Sequence, residues 1–201
     1  MNNPDESELP PLVLMGDPRL SQPSAPVDPT EISTPAFQER LRVLKVGLKE
    51  HCANGIAAPQ LGWFQRFLLM RDPSSKALVY WINPEVTTTT AEHHWAWEGC
   101  LSVPGFKAYI GRPAAVAVHG LDAQGTPLHR EFRGWEAHLF QHEFDHLDGV
   151  LFPYRAGDPR HVVRVEEFAQ RATWPKDWPA PGARDAEVRD FPEGEDAYFG
   201  E

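Results

Sequence analysis

Residues 141–149 read Gln141-His142-Glu143-Phe144-Asp145-His146-Leu147-Asp148-Gly149. Two histidines four apart on a helix lie on one face, one turn apart, so both imidazoles can reach a single ion. Glu143 stands beside them and can take a proton from a water held at such an ion. A helix is therefore expected from Gly134 to Asp148, with Gly149 as its stop. The bare His-Glu-x-x-His pattern also occurs in ordinary charged helices, and the nine histidines of this chain raise its chance level. A metal reading needs a third ligand, because catalytic sites of this type usually hold the ion with three protein groups and keep one position open.

Upstream, Glu98-Gly99-Cys100-Leu101-Ser102 closes a strand-like stretch. Cys100 can supply a thiolate as that third ligand, or it can be a small buried hydrophobe, the commoner fate of a lone cysteine. Cys52 has no comparable setting and is read as such a hydrophobe. Further upstream, Asn54-Gly55-Ile56-Ala57-Ala58-Pro59-Gln60-Leu61-Gly62 is rich in small residues that let a backbone approach a substrate or an ion closely. Gln60 offers an amide donor suited to a developing oxyanion.

Around these segments the pattern changes twice. Thr34 is a fitting N-cap with Pro35 behind it, and Phe37, Leu41, Leu44 and Leu48 recur at helical steps, so a helix is expected to about His51. Short strands are expected at 67–70, 78–82, 114–118 and 128–132, separated by turn signals such as Asp72-Pro73, Asn83-Pro84 and Gln124-Gly125. A last helical stretch is expected from about His161 to Ala172. The sum is an α+β layout rather than alternating βαβ units: mixed or antiparallel short strands packed around a central metal-binding helix.

The chain of 201 residues suits one domain with tails, and 41% hydrophobic residues suffice for a real core. Two cysteines cannot build a disulfide framework, which points to a reducing interior. No run approaches the roughly 20 apolar residues that span a membrane. The start, MNNPDESELPP, lacks the basic region of a secretory signal and the Arg-rich character of a transit peptide, so a bacterial-type cytoplasm is expected, with an organelle left open for a processed form. A formal charge of −10 makes a poor phosphate binder, and no direct nucleic-acid recognition is expected. Residues 172–201 carry three basic and eight acidic side chains, half of the net charge. Eight of the 20 prolines lie in the first 35 residues and four follow Thr173, so both ends read as extended arms.

Together, Gly55-Ile56-Ala57-Ala58-Pro59-Gln60, Glu98-Gly99-Cys100-Leu101-Ser102 and the stretch from Gln141 to Gly149 resemble the peptide deformylase family, in that family's order and at about its separations. The resemblance also reaches Gly16-Asp17-Pro18-Arg19-Leu20 and covers about Leu12 to Tyr154. It implies a deformylase-like catalytic domain over 12–172, an N-terminal arm over 1–11 and an acidic Pro-rich tail over 173–201. It further implies one divalent metal ion on Cys100, His142 and His146; a soft thiolate suits Fe(II), with Zn, Ni or Co as substitutes. Glu143 would be the general base and acid, and Gln60 with the backbone N–H of Leu101 would stabilise the oxyanion. Gly55, Asn54 and Gly99 would orient the peptide backbone, and Lys107 would meet it with its charge. The reaction would hydrolyse the N-formyl group of formyl-methionyl nascent peptides, giving formate and a free amine. A transient ribosome contact would use a face other than the acidic C-terminus.

Three positions depart from the family's pattern. Ala53 stands where glycine is common, which removes a φ-permissive residue. Lys107 stands where arginine is frequent and loses the bidentate fork. On the metal helix, Trp135, His138 and Leu139 fall beside the pocket for the methionine side chain, where His138 reads as a polar group at the rim. Arg112 is expected to pair with Glu98 or Asp145, and Asp145 to orient one of the ligating histidines. Three other functions compete with this reading: a hydrolase of another formylated amine or peptide, a generic HExxH endopeptidase with a ligand downstream among His161, Glu166 and Glu167, and a non-catalytic peptide binder.

Overall fold

The computed structural model describes residues 9–72, 75–186 and 188; the start of the expected arm and the end of the acidic tail lie outside the described residues. Helix α1 (Pro35–Glu50) begins as expected, with Thr34 Oγ1 accepting the Phe37 N–H at 3.3 Å. Such a cap is worth about 1 kcal/mol. Strands β1 (Gly55–Ala57), β2 (Phe67–Arg71), β3 (Leu78–Thr89), β6 (Ala115–Leu121) and β7 (Pro127–Arg133) form one antiparallel sheet in the order β1-β2-β3-β6-β7. Strands β4 (His93–Cys100), β5 (Val103–Pro113) and β8 (Val162–Arg164) form a second, also antiparallel. Helix α2 (Gly134–Leu147) lies against both sheets.

The larger sheet is covered on two faces, and β2 shows why four successive residues, Phe67 to Met70, are apolar. Phe67 and Leu69 point to α1 and pack with Phe37, Leu41, Leu44 and Leu48. Leu68 and Met70 point the other way, to Trp81, Phe132 and the α2 residues Ala137, Phe140 and Leu147. Alternation puts successive side chains on opposite faces, so a strand buried on both sides reads as a continuous apolar run, here closed by Arg71. Trp81 meets Phe132 and Phe140 edge-on with centroids 5.6 and 5.7 Å apart.

Gly134 takes φ +52° and donates its N–H to Ala114 O at 2.7 Å, which turns the chain directly from β7 into α2. Gly149 takes φ +74° just past the helix, and an added Cβ would come 2.7 Å from the Gln22 nitrogen, so only glycine fits this stop.

Two expectations need correction. The turn signal Asn83-Pro84 lies inside β3, at an irregularity in its pairing with β6. Asn83 is held at φ +48° because its side chain serves Val27 as a pairing partner, accepting from Val27 N and donating to Val27 O, both at 2.8 Å. The stretch expected as a helix from His161 to Ala172 is instead β8, a one-turn helix α3 (Val165–Phe168) and a 3-10 turn (Arg171–Thr173). The β-branched Val162 and Val163 pair with the edge of β5, opposite Ala108 and Lys107. The chain then continues on the domain: the Ala183 carbonyl accepts the Trp97 Nε1–H at 2.6 Å, and Trp174 packs beside the same indole.

A buried ion network fastens α2 to the smaller sheet. Arg112 of β5 donates to both oxygens of Glu98 on β4, at 2.6 and 3.0 Å, and to Asp145 of α2 at 2.7 Å. Arg155 closes the other side of Asp145 at 2.6 and 3.0 Å. Arg112, Glu98 and Asp145 are each less than 5% exposed. Removing one member leaves the others charged and unpaired in a dry interior. Arg112→Met should therefore cost about 3–5 kcal/mol in urea unfolding; a loss of only a few tenths would mean that the carboxylates find other partners.

Candidate metal centre

Three elements converge on one point. Cys100 ends β4, and His142 and His146 face it from α2, with one ligand atom from each within 4.8 Å of the others. Cys100 Sγ lies 3.2 Å from His146 Nε2. Donors around a tetrahedral ion at usual Zn-type bond lengths stand roughly 3.3–3.8 Å apart, so the three groups converge at about the spacing that one ion needs. Two observations strengthen the fit. His142 Nδ1 lies 2.6 Å from Glu98 Oε2, which leaves His142 Nε2 for the triad. Glu143 is 3% exposed, and its Oε2 has no hydrogen-bond partner among the described residues. A buried carboxylate oxygen left open beside a ligand triad is what a bound water would satisfy.

The electrostatics follow from burial and from Glu98. Burial works against the Glu98 carboxylate, but Arg112, His138 and His142 outweigh it and hold the group well below the usual range. Burial pushes Glu143 up to about 7, with the charges of His142 and Arg112 pulling it down and Glu98 pushing it up. Burial, with the positive charge of His142 and Arg112, drives His146 well below its usual value, toward the neutral imidazole that can ligate.

The triad stands in a cleft of ≈ 340 Å³. Asn54, Gly55, Gln60, Gly99, Cys100, Leu101, Lys107, Trp135, His138, Leu139, His142 and Glu143 all line it, while His146 sits behind. Gln60 belongs to a 3-10 turn (Ala58–Leu61) after β1, and its Oε1 accepts the Ala57 N–H at 2.9 Å, which aims Nε2 at Cys100 Sγ, 3.4 Å away. The N-terminal segment ties both loops of the site together: Val13 N–H donates to Gln60 O at 2.8 Å and Met15 N–H to Ser102 O at 2.7 Å. A Cβ on Gly55 would lie 2.5 Å from Glu143 Oε1, and one on Gly99 would lie 2.9 Å from Lys107 Nζ. Each glycine makes room for a side chain of the site.

Several sequence expectations change here. His138 is not at the rim: its side chain is 1% exposed, its Nε2 stands 2.6 Å from Glu98 Oε1, and its ring stacks under Trp135 at 5.6 Å. His94 Nδ1 lies 3.4 Å from His138 Nδ1 on the far side. The carboxylate beside His142 is Glu98 and not Asp145, because Asp145 is taken up by Arg112 and Arg155. Arg112 pairs with both Glu98 and Asp145 rather than with one. Cys52 is an exposed residue at φ +48° on the cleft, not a buried hydrophobe. That positive φ falls on Cys52 and not on Ala53, so the alanine introduces no backbone strain. Sequence reasoning missed Trp97, Phe106 and Val165 as cleft residues. Glu98 could have been found, since it stands two residues before Cys100 on the same strand.

The family model described as polypeptide deformylase matches residues 9–161. The chain belongs to that family. It is 40% identical over 156 residues to peptide deformylase 2 of Xanthomonas campestris, covering 77% of this chain and 91% of that protein. It is 34% identical over 158 residues to peptide deformylase 1 of Nitrosomonas europaea, covering 75% and 89%. Among solved structures, a class I type b peptide deformylase from Acinetobacter baumannii with Met-Ala-Ser bound is similar with a TM-score of 0.70 and 30% identity, over 75% of this chain and 99% of that one. The peptide deformylase of Thermotoga maritima gives 0.68 and 33%, over 75% and 99%. The protein is thus a metallohydrolase that removes the N-formyl group from an N-terminal methionine, using a single catalytic metal. The α+β fold, with antiparallel strands around helix α2, is that of the family. No helix among the described residues is long and apolar enough to cross a membrane.

Gly55→Ala should keep its metal content yet lower kcat/KM by about a hundredfold, the scale expected when a reacting group is displaced by about 1 Å. Full activity in that variant would show that Glu143 does not need its present position.

Proposed function

We propose that Cys100, His142 and His146 hold the catalytic ion, and that Fe(II) is its native identity. The donor set supports this reading: one soft, electron-rich thiolate and two imidazoles suit iron, with zinc, nickel or cobalt as substitutes. A bound divalent ion supplies Lewis acidity to the formyl carbonyl and to a water at the open position. The observation that carries the proposal is the unpartnered oxygen of Glu143 beside the converged triad in one cleft.

Each remaining role follows from placement. Glu143 accepts the proton of the attacking water and returns it to the leaving amine, a use for which a buried and weakened acid is suited. The Gln60 amide, aimed by its bond to Ala57, and the backbone N–H of Leu101 stabilise the negative charge that grows on the formyl oxygen. The backbones of Asn54, Gly55 and Gly99 orient the peptide, since two of the three lack a side chain that would crowd it. Lys107 offers its charge to the peptide backbone. Trp135 and Leu139, with His138 beneath them, form the apolar side of the cleft and receive the methionine side chain. The substrates are formyl-methionyl nascent peptides in the cytoplasm of a bacterial-type cell, met through a transient ribosome contact away from the acidic C-terminus. The Met-Ala-Ser bound to the Acinetobacter baumannii relative has the sequence of a product of such a reaction.

Glu143→Gln should retain metal and lose about 10²–10⁴ in kcat, the usual worth of a positioned acid-base group; near-normal turnover would assign the proton transfer elsewhere. Cys100→Ser should lose metal during dialysis under conditions in which the parent keeps it, measured by elemental analysis. Chelator treatment should abolish formate release from formyl-Met-Ala-Ser, and anaerobic Fe(II) should restore it; activity that survives full metal removal would sink the metal assignment.

A further inference from the structure

The match to the family model ends at residue 161, but the cleft does not. We propose that residues 162–186 belong to the peptide site, as a brace that sets the wall contacting substrate residues beyond the first. The proposal rests on the formyl-peptide reading above and adds a segment to it.

The cleft has two facing sides. On the α2 side, Trp135 and Leu139 form an apolar patch that suits one side chain. The other side is built from Gly99, Phe106, Lys107 and Val165, and a volume of ≈ 340 Å³ is more than one side chain fills. A peptide whose formyl end lies at the triad and whose first side chain lies against α2 has this second side left for the rest of its length. That side carries a lysine, a cation suited to peptide carbonyls or a carboxylate, next to apolar surface.

The second side depends on the C-terminal segment at every level. Strand β8 pairs Val163 with Lys107 and Arg164 with Phe106, which fixes the register of β5 where it lines the cleft. Val165 follows β8 directly and lines the cleft itself. The Phe168 ring lies 5.9 Å from Lys107 Nζ and 4.9 Å from the Trp97 ring. Trp97, three residues before the ligand Cys100, is 2% exposed, and its indole N–H is satisfied by the Ala183 carbonyl at 2.6 Å. Ala183 is fully buried, and Trp174 covers the same indole at 5.8 Å. A buried indole N–H that loses its acceptor is unfavourable enough to move. Shifting Trp97 and Phe168 would loosen Lys107 and the adjoining wall, while His142 and His146, carried by α2, would stay in place.

The test compares the full chain with a chain ended after Ala172 and with full-length Ala183→Glu, which forces a charge into the buried contact. Each is loaded with metal, its metal content and melting are checked, and KM and kcat are measured for formyl-Met-Ala-Ser and for formyl-methionine. Binding of Met-Ala-Ser is followed by calorimetry as a readout independent of turnover. Both altered proteins should keep metal. Their KM and Kd for the tripeptide should rise about tenfold, the scale of a lost apolar contact in a pocket, while KM and kcat for formyl-methionine stay near the parent values. Equal losses on both substrates, or no loss on either, would overturn the proposal. Unfolding of both altered proteins would make the segment part of the folding core rather than of the peptide site, and would overturn it as well. If the intact, metal-loaded protein released formate from neither substrate, the deformylase reading would fall instead.

Discussion

The carboxylate of Glu98 is the group on which the site depends. It is buried, and it is kept charged by Arg112, which reaches it with two nitrogens. Its two oxygens also face His142 and His138 on α2. One side chain on β4 therefore fixes the ring of His142, accepts the charge of Arg112 on β5 and meets the helix that carries both histidines of the cluster. A carboxylate in that position would be unfavourable in isolation, and it is stable only because every oxygen has a charged or polar neighbour. The cost of disturbing any partner keeps the ligands in one arrangement.

The rest of the architecture serves to bring three distant pieces of chain to that carboxylate. The five-stranded sheet holds α2 through the Trp81, Phe132 and Phe140 rings, and its edge strand β1 delivers Gly55 under Glu143. The smaller sheet delivers Cys100 and Glu98. The N-terminal segment bridges the two by backbone hydrogen bonds at Gln60 and Ser102. Close approach is the recurring device. Gly55 admits Glu143, Gly99 admits Lys107 and Gly149 lets α2 end against Gln22, so the glycines mark where side chains and backbone of different elements must share space.

Much of this was legible in the chain itself. Local rules placed α1 and α2 to within a residue or two, because caps, prolines and apolar spacing act over one turn. The cluster of Cys100, His142 and His146 was legible because a metal demands particular atoms at particular spacings. What could not be read locally was pairing. Asn83-Pro84 looks like a turn and is an irregularity in a strand, because Asn83 finds Val27 more than fifty residues away. Residues 161–172 look helical and are partly a strand, because the edge of β5 offers unpaired backbone. His138 looks like a polar rim and is buried, because Glu98 and His94 come to it from another sheet.

The sequence by itself determined which groups stand ready: the Cys100 thiol and the Gln60 amide by residue type, and the two imidazoles with the neighbouring glutamate by spacing along one helix. Tertiary structure alone decided which carboxylate steadies His142, giving that part to Glu98 and tying Asp145 to two arginines. It also decided that the chain past residue 161 returns to the cleft. Helical periodicity is a property of neighbours in the chain, whereas the partner of a buried charge and the acceptor of a buried indole are chosen by packing among segments far apart in sequence.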